Sequence, residues 1–183
     1  MKVMVGVSNR HIHLCKEDAS LLFGDDYVFN KRNDLSQKGE YACCETVVIS
    51  TDKYEFPHVR VMGPLRDYTQ VEVSLEDAKL LGINPPIRDS GDLDDSESVW
   101  ITGPIGKIYK KNCCIMSNRH IHCNRNSLIG YNNKDIVSVR TVNNDIMNNV
   151  HIKMGDNFVL EMHIDKCDAL KYGLNNGDYV DLE

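Results

Sequence analysis

Short runs of alternating apolar and polar residues dominate the chain: ETVVIS (45–50), HVRVMG (58–63), TQVEVS (69–74), SVWIT (98–102), DIVSVR (135–140), NFVLEMHI (157–164) and DYVDLE (178–183). Gly, Asn, Asp and Pro turn signals separate them at close intervals, and helical periodicity is scarce. That pattern predicts antiparallel sheets or barrels. Four short helices are predicted, each behind a residue able to bind a metal. CKEDASLLFG (15–24) follows His13, SLEDAKLLG (74–82) follows Glu72, NRNSLIG (124–130) follows His122, and DKCDALKYG (165–173) follows His163. In each unit an Asp or Ser stands five residues beyond the ligand (Asp18, Asp77, Ser127, Asp168), and a Gly closes it (Gly24, Gly82, Gly130, Gly173). Acidic or hydroxyl residues early and Gly late are helix start and stop signals. The expectation is an internally duplicated, mainly β protein with short helices. DSGDLDDSES (89–98) reads as a surface loop, NNDIMNN (143–149) as a hairpin or loop tip, and NDLSQKGEYA (33–42) as a flap or an ordinary connection.

The duplication is sharpest in SNRHIH, which occurs at Ser8–His13 and again at Ser117–His122. In a strand, residues i and i+2 share a face, so His11 and His13 can aim at one point, as can His120 and His122. A single H-x-H is a weak signal, because surface or packed histidines give the same pattern. Two copies in matched contexts, with His163 at the equivalent place of a third unit, point to metal binding. Catalytic zinc commonly takes three protein ligands and leaves one position open. The inventory offers two such sets: His11, His13 and Glu72, and His120, His122 and His163. Glu72 alone would read as a surface carboxylate; its place before SLEDA lifts it. Gln70 and Ser74 share its face, which is unusual for a core face and ordinary for a solvent face. Arg10 and Arg119 belong to the repeat, and Arg60, Arg66 and Arg88 lie near turns; arginine can hold phosphate bidentately, although any one of them could be a solvated surface charge. Such sites suit reactions at carbonyl or phosphoryl groups.

A net charge of −6 and a pI near 5.6 argue against nucleic acid as a partner and are compatible with a phosphorylated small molecule. No apolar run approaches the roughly 18 residues of a membrane span. The first motif begins so close to Met1 that no signal peptide is expected. Seven cysteines without a C-x-x-C pair read as reduced cytosolic thiols, not as a disulfide framework.

Six segments carry a family resemblance: VGVSNRHIHL (5–14), DLSQKGEYA (34–42), VRVMGPLRDYTQVEVSLEDAKLLG (59–82), IRDSGD (87–92), SNRHIH (117–122) and EMHID (161–165). In order and coverage they resemble the PduL-type phosphate propanoyltransferases. The resemblance implies two β-barrel domains capped by short helices, with a dinuclear metal site between them. Residues 1–9 plus 118–183 would form one barrel and 10–117 the other, with 30–44 as a lid-like insertion. It implies two zinc ions, with cobalt or another divalent metal as substitutes. The first would be held by His11, His13 and Glu72 and would meet the coenzyme A sulfur; the second would be held by His120, His122 and His163. Arg66 matches a phosphate-site arginine and Ser90 a serine close to the metals, and both are the expected catalytic residues. Gln37 and Gly39 match a lid, usually Gln-Pro-Gly; Lys38 departs from that pattern and removes the stiffness of Pro. Arg10 and Arg119 join Arg66, Gln37 and Gly39 as expected substrate contacts.

The implied reaction converts short-chain acyl-CoA (propionyl or acetyl) and phosphate to acyl phosphate and CoA by direct transfer. The partners are acyl-CoA and phosphate, with no nucleic acid and no membrane; a homo-oligomer is allowed. A cytoplasmic enzyme is expected, since family members inside microcompartments carry an N-terminal targeting extension that this chain lacks. The alternatives are a zinc-dependent hydrolase acting on thioester or amide substrates, and a non-catalytic metal-binding or assembly protein.

Overall fold

A computed structural model describes residues 1–183. In chain order the elements are β1 (Lys2–Ser8), β2 (His11–Cys15), α1 (Lys16–Phe23), β3 (Lys31–Asp34), β4 (Tyr41–Ser50) and β5 (Glu55–Arg66). There follow β6 (Gln70–Glu72), α2 (Leu75–Leu81), β7 (Ile87–Arg88), β8 (Glu97–Thr102) and β9 (Lys107–Ser117). The chain ends with β10 (His120–Cys123), β11 (Ile136–Arg140), β12 (Ile146–Met154), β13 (Glu161–Asp165), α3 (Lys166–Tyr172) and β14 (Tyr179–Leu182). No helix is long and apolar enough to cross a membrane.

The chain divides into two units. The first comprises Met1–Asn9, Ser36–Lys38 and Asn118–Glu183; the second comprises Arg10–Leu35 and Gly39–Ser117. In the first, β1 pairs parallel with β13 and antiparallel with β14, β13 with β10, β10 parallel with β12, and β11 closes the ring onto β14. In the second, β2 pairs parallel with β5 and antiparallel with β6, β6 parallel with β9, and β8 joins β9 to β4, which returns to β5. Both are therefore closed six-strand rings, and their pairing orders and directions match strand for strand. The short β3 and β7 are appended to the second ring, on β4 and β9.

Alternation explains the cores. Ile121, Met162 and Ile164 point into the interior of the first ring with Val3, Val5, Val150, Ile152 and Val180. Ile12, Leu14 and Val71 do the same in the second with Val47, Val59, Val61 and Ile101. Truncating such a fully buried side chain to Ala costs about 2–5 kcal/mol. The intervening histidines thus face away from the apolar interior.

Two helices are stopped as predicted. Ser74 and Asp77 form a reciprocal capping box at the start of α2, and Asp165 accepts the Asp168 N–H at the start of α3. Gly82 and Gly173 end them in the left-handed conformation, with φ 67° and 62°, where Gly carries no Cβ penalty. α1 has no side-chain cap; it is seated by buried Leu22 and Ala19. A side chain at Gly106 would run into the Leu21 carbonyl.

The helix expected at 124–130 is a correction: the segment forms turns. The Asn124 side chain accepts the N–H groups of Asn126 and Ser127, and the Ser127 hydroxyl bonds the Asn124 carbonyl. These local bonds compete with helix formation. NNDIMNN is also not all turn, since β12 begins at Ile146, and β13 is shorter than NFVLEMHI.

Candidate metal centres

The faces turned away from the two interiors gather the candidate ligands. On β2 and β6, His11 stands opposite Glu72 and His13 opposite Gln70. His11 Nε2 is 3.6 Å from Glu72 Oε2, and the rings of His11 and His13 meet edge-on at 5.1 Å. On β10 and β13, His120 stands opposite His163 and His122 opposite Glu161. His120 and His163 stack with centroids 5.1 Å apart. Within each trio, His11–His13–Glu72 and His120–His122–His163, one donor atom per residue lies within 4.8 Å of the others. Donors around one tetrahedral ion with bonds of about 2.0–2.1 Å stand roughly 3.3 Å apart, so both trios are already gathered on that scale.

The protonation state of His120 suits ligation. Burial, with nearby Lys153, His163 and His122, holds the His120 imidazole far below its ordinary pKa, so the ring is neutral. Its Nδ1 lies 2.8 Å from the Asn118 carbonyl; a proton there leaves Nε2 as a lone-pair donor. Three nitrogens, or two nitrogens and a carboxylate, fit zinc and other divalent ions.

Each trio has a polar neighbour that sequence reasoning missed as a participant. Gln70, fully buried, donates from Nε2 to Glu72 Oε1 at 2.6 Å and to Ser90 Oγ at 2.9 Å, while its Oε1 accepts the Gly91 N–H at 2.8 Å. Ser90 Oγ also accepts from Arg66 Nη1 at 3.0 Å, and Arg66 Nη2 lies 3.4 Å from Glu40 Oε1. Arg66 and Ser90 therefore meet, and Gln70 links them to Glu72. The polar face of TQVEVS is a buried site face, not a solvent face.

In the other trio, Glu161 Oε2 lies 2.9 Å from His163 Nε2 and accepts from the Ser36 hydroxyl and from Gln37 Nε2, the latter at 3.2 Å. Burial alone would raise the Glu161 carboxyl; His163, Ser36 and Gln37 outweigh it and bring the pKa down to about 2. The Gln37 amide also bonds both the N–H and the carbonyl of Val159. Gln37 is thus buried in contacts of its own unit, whereas Gly39 is exposed with φ 87°. The signal for Gln70 and Glu161 was available: each stands two residues before a ligand and must share its face.

Arg10 and Arg119 have intramolecular partners. Arg10 Nη2 meets Asp77 Oδ1 at 2.5 Å and its guanidinium covers the Phe56 ring. Arg119 meets Asp168. Both aspartates are among the carboxylates spaced five residues beyond a ligand. Asp18, the third, meets Lys110 at 2.6 Å. The recurrent aspartate tethers a helix start to the strand framework. Cys123 lies in the apolar interior, away from the trio on its strand.

A family profile described as phosphate propanoyltransferase matches residues 4–175. The chain is 43% identical to the phosphate propanoyltransferase of Thermotoga maritima, over 97% of this chain and 87% of that protein. It is 41% identical to the enzyme of the same name from Rhodopseudomonas palustris, over 98% and 81%. With that of Priestia megaterium it shares 42% identity over 96% and 83%. With similarity along nearly its whole length, and two trios of candidate ligands on matched ladders, the chain belongs to the phosphate propanoyltransferase family of acyl-transferring enzymes.

Proposed function

We propose that this protein interconverts short-chain acyl-CoA and inorganic phosphate with acyl phosphate and CoA, acting on propionyl-CoA and, as a smaller homologue, acetyl-CoA. The observation that carries the proposal is the path of hydrogen bonds from Glu72 through Gln70 and Ser90 to Arg66. It joins a candidate metal ligand to a guanidinium suited to phosphate. The names of the relatives support propionyl as the acyl group.

The chemistry asks little covalent work of the protein. A phosphate oxygen bonds the thioester carbonyl carbon, the C–S bond breaks, and the thiolate leaves with the bonding pair. In this reading Arg66 binds and orients the phosphate, which competes with Glu40 for Nη2. Ser90 Oγ accepts from Arg66 and Gln70, so its own proton points either to the Tyr68 hydroxyl at 3.5 Å or, in this reading, to a phosphate oxygen. His11, His13 and Glu72 would hold one divalent ion and His120, His122 and His163 another, zinc in the first instance with cobalt as a substitute. Such ions, when bound, supply Lewis acidity and neutralise developing negative charge. No side chain serves as nucleophile, so no acyl-enzyme forms.

Thiol release from propionyl-CoA tests the proposal. It is expected to require phosphate and to stop when a chelator is added. Free acid formed without phosphate would identify a metal-dependent hydrolase instead. Metal uptake without any turnover would identify a non-catalytic metal-binding protein.

A further inference from the structure

The site-facing side chains of each ladder form a square. Its corners are His11, His13, Gln70 and Glu72 on β2 and β6, and His120, His122, Glu161 and His163 on β10 and β13. Three corners of each square are the candidate ligands. The fourth is an amide in one square and a carboxylate in the other, and its chemistry matches its neighbour. Beside the carboxylate ligand stands a hydrogen-bond donor, with Gln70 Nε2 2.6 Å from Glu72 Oε1. Beside the imidazole ligand stands a carboxylate, with Glu161 Oε2 2.9 Å from His163 Nε2, a close polar contact that is not aligned as a hydrogen bond. Exchanging the two would set carboxylate against carboxylate in the first square.

Both fourth corners are also held from behind. Ser90 and the Gly91 N–H fix Gln70; Ser36 and Gln37 fix Glu161. Both residues are nearly inaccessible, at 0% and 5% exposure. Gly6, opposite His163 in the β1–β13 register, leaves the room that Glu161 occupies: a Cβ there would stand 3.0 Å from Glu161 Oε1.

We infer that Gln70 and Glu161 are matched positioning residues, each fixing the third ligand of its own trio, Glu72 or His163, for a bound metal. The inference rests on the metal reading proposed above. Partners of this kind typically account for about tenfold to hundredfold in metal affinity.

The test is a zinc titration of the full-length, metal-stripped protein against a chromophoric chelator, with cobalt absorption as a second readout. The wild type is expected to bind two equivalents. Gln70→Ala should weaken one of them by about tenfold to hundredfold, and Glu161→Ala the other by a similar factor. Gln70→Glu should perturb the same equivalent as Gln70→Ala. Gly6→Ala, which leaves Glu161 in the sequence and crowds its carboxylate, should weaken the same equivalent as Glu161→Ala, and it decides the matter if Glu161→Ala does not fold. A general loss of structure would weaken both equivalents together and would contradict the assignment. Two equivalents with unchanged constants in every variant would overturn the inference alone. No zinc binding by the wild type would overturn the metal reading with it.

Discussion

Arg119 and Asp168 meet through two parallel contacts, Nε to Oδ2 at 2.5 Å and Nη2 to Oδ1 at 2.6 Å. The pair ties the residue before His120 to the first turn of the helix that follows His163. The contact with Asp168 raises the Arg119 pKa, and both side chains are largely buried, at 25% and 17% exposure. Removing one partner leaves a charge without its mate. Arg119→Ala is expected to lower stability by about 1–3 kcal/mol, measured by urea unfolding. Arg119→Lys should recover only part, because an ammonium cannot reproduce the two-pronged contact.

The Asp18–Lys110 pair gives a pH signature. Burial raises the Asp18 carboxyl, but Lys110 and the Thr69 hydroxyl outweigh it and hold the group below its ordinary 3.8. The folded protein therefore releases this proton more readily than the unfolded chain. The resulting stability is present above 3.8 and lost as the pH falls through and below that value. The stability difference between wild type and Asp18→Asn should shrink between neutral pH and about pH 3. Urea unfolding of both across that range checks it; a constant difference would contradict the assignment.

Opposite faces of β10 should respond differently. Ile121→Ala, inside the first ring, is expected to cost about 2–5 kcal/mol of stability. His122→Ala, on the site face, should cost the metal-free protein less and should abolish binding of one zinc equivalent. Unfolding curves and zinc titrations of the two variants separate the effects.

Much of this was legible because alternation is a local property. The H-x-H faces, the capping signals of α2 and α3, and the interior-facing Ile12 and Ile121 follow from spacing alone. The turn at 124–130 was not, because its NRNSLIG pattern carries the same start and stop signals as a helix, and local bonding by Asn124 and Ser127 decides between them. Ring closure came from the family resemblance and not from local pattern: the pairing of Val5 with Met162 joins distant parts of the chain, which alternation alone does not encode. The partners of Arg10 and Arg119, Asp77 and Asp168, were likewise not readable from local pattern, because they lie far along the chain. The i, i+2 spacing already puts Gln70 and Glu161 on the faces of Glu72 and His163; the cross-strand register adds that they stand opposite His13 and His122.

Arg66 is where the proposed chemistry is most exposed to substitution. Arg66→Lys retains the charge and loses the planar fork that meets phosphate. The KM for phosphate should rise by about tenfold or more, from the loss of a charge-assisted hydrogen bond, with a smaller change in the KM for acyl-CoA. Steady-state kinetics with each substrate varied in turn distinguishes the two; an equal rise in both would place Arg66 elsewhere in the mechanism.

The most direct measurement is phosphorus NMR of the purified protein incubated with propionyl-CoA and inorganic phosphate, alongside a thiol assay. The account expects acyl phosphate and free CoA in equal amounts, formation that stops when the metal is stripped, and recovery when zinc is restored. Free propionate without acyl phosphate, or turnover unchanged by removal of the metal, would contradict it.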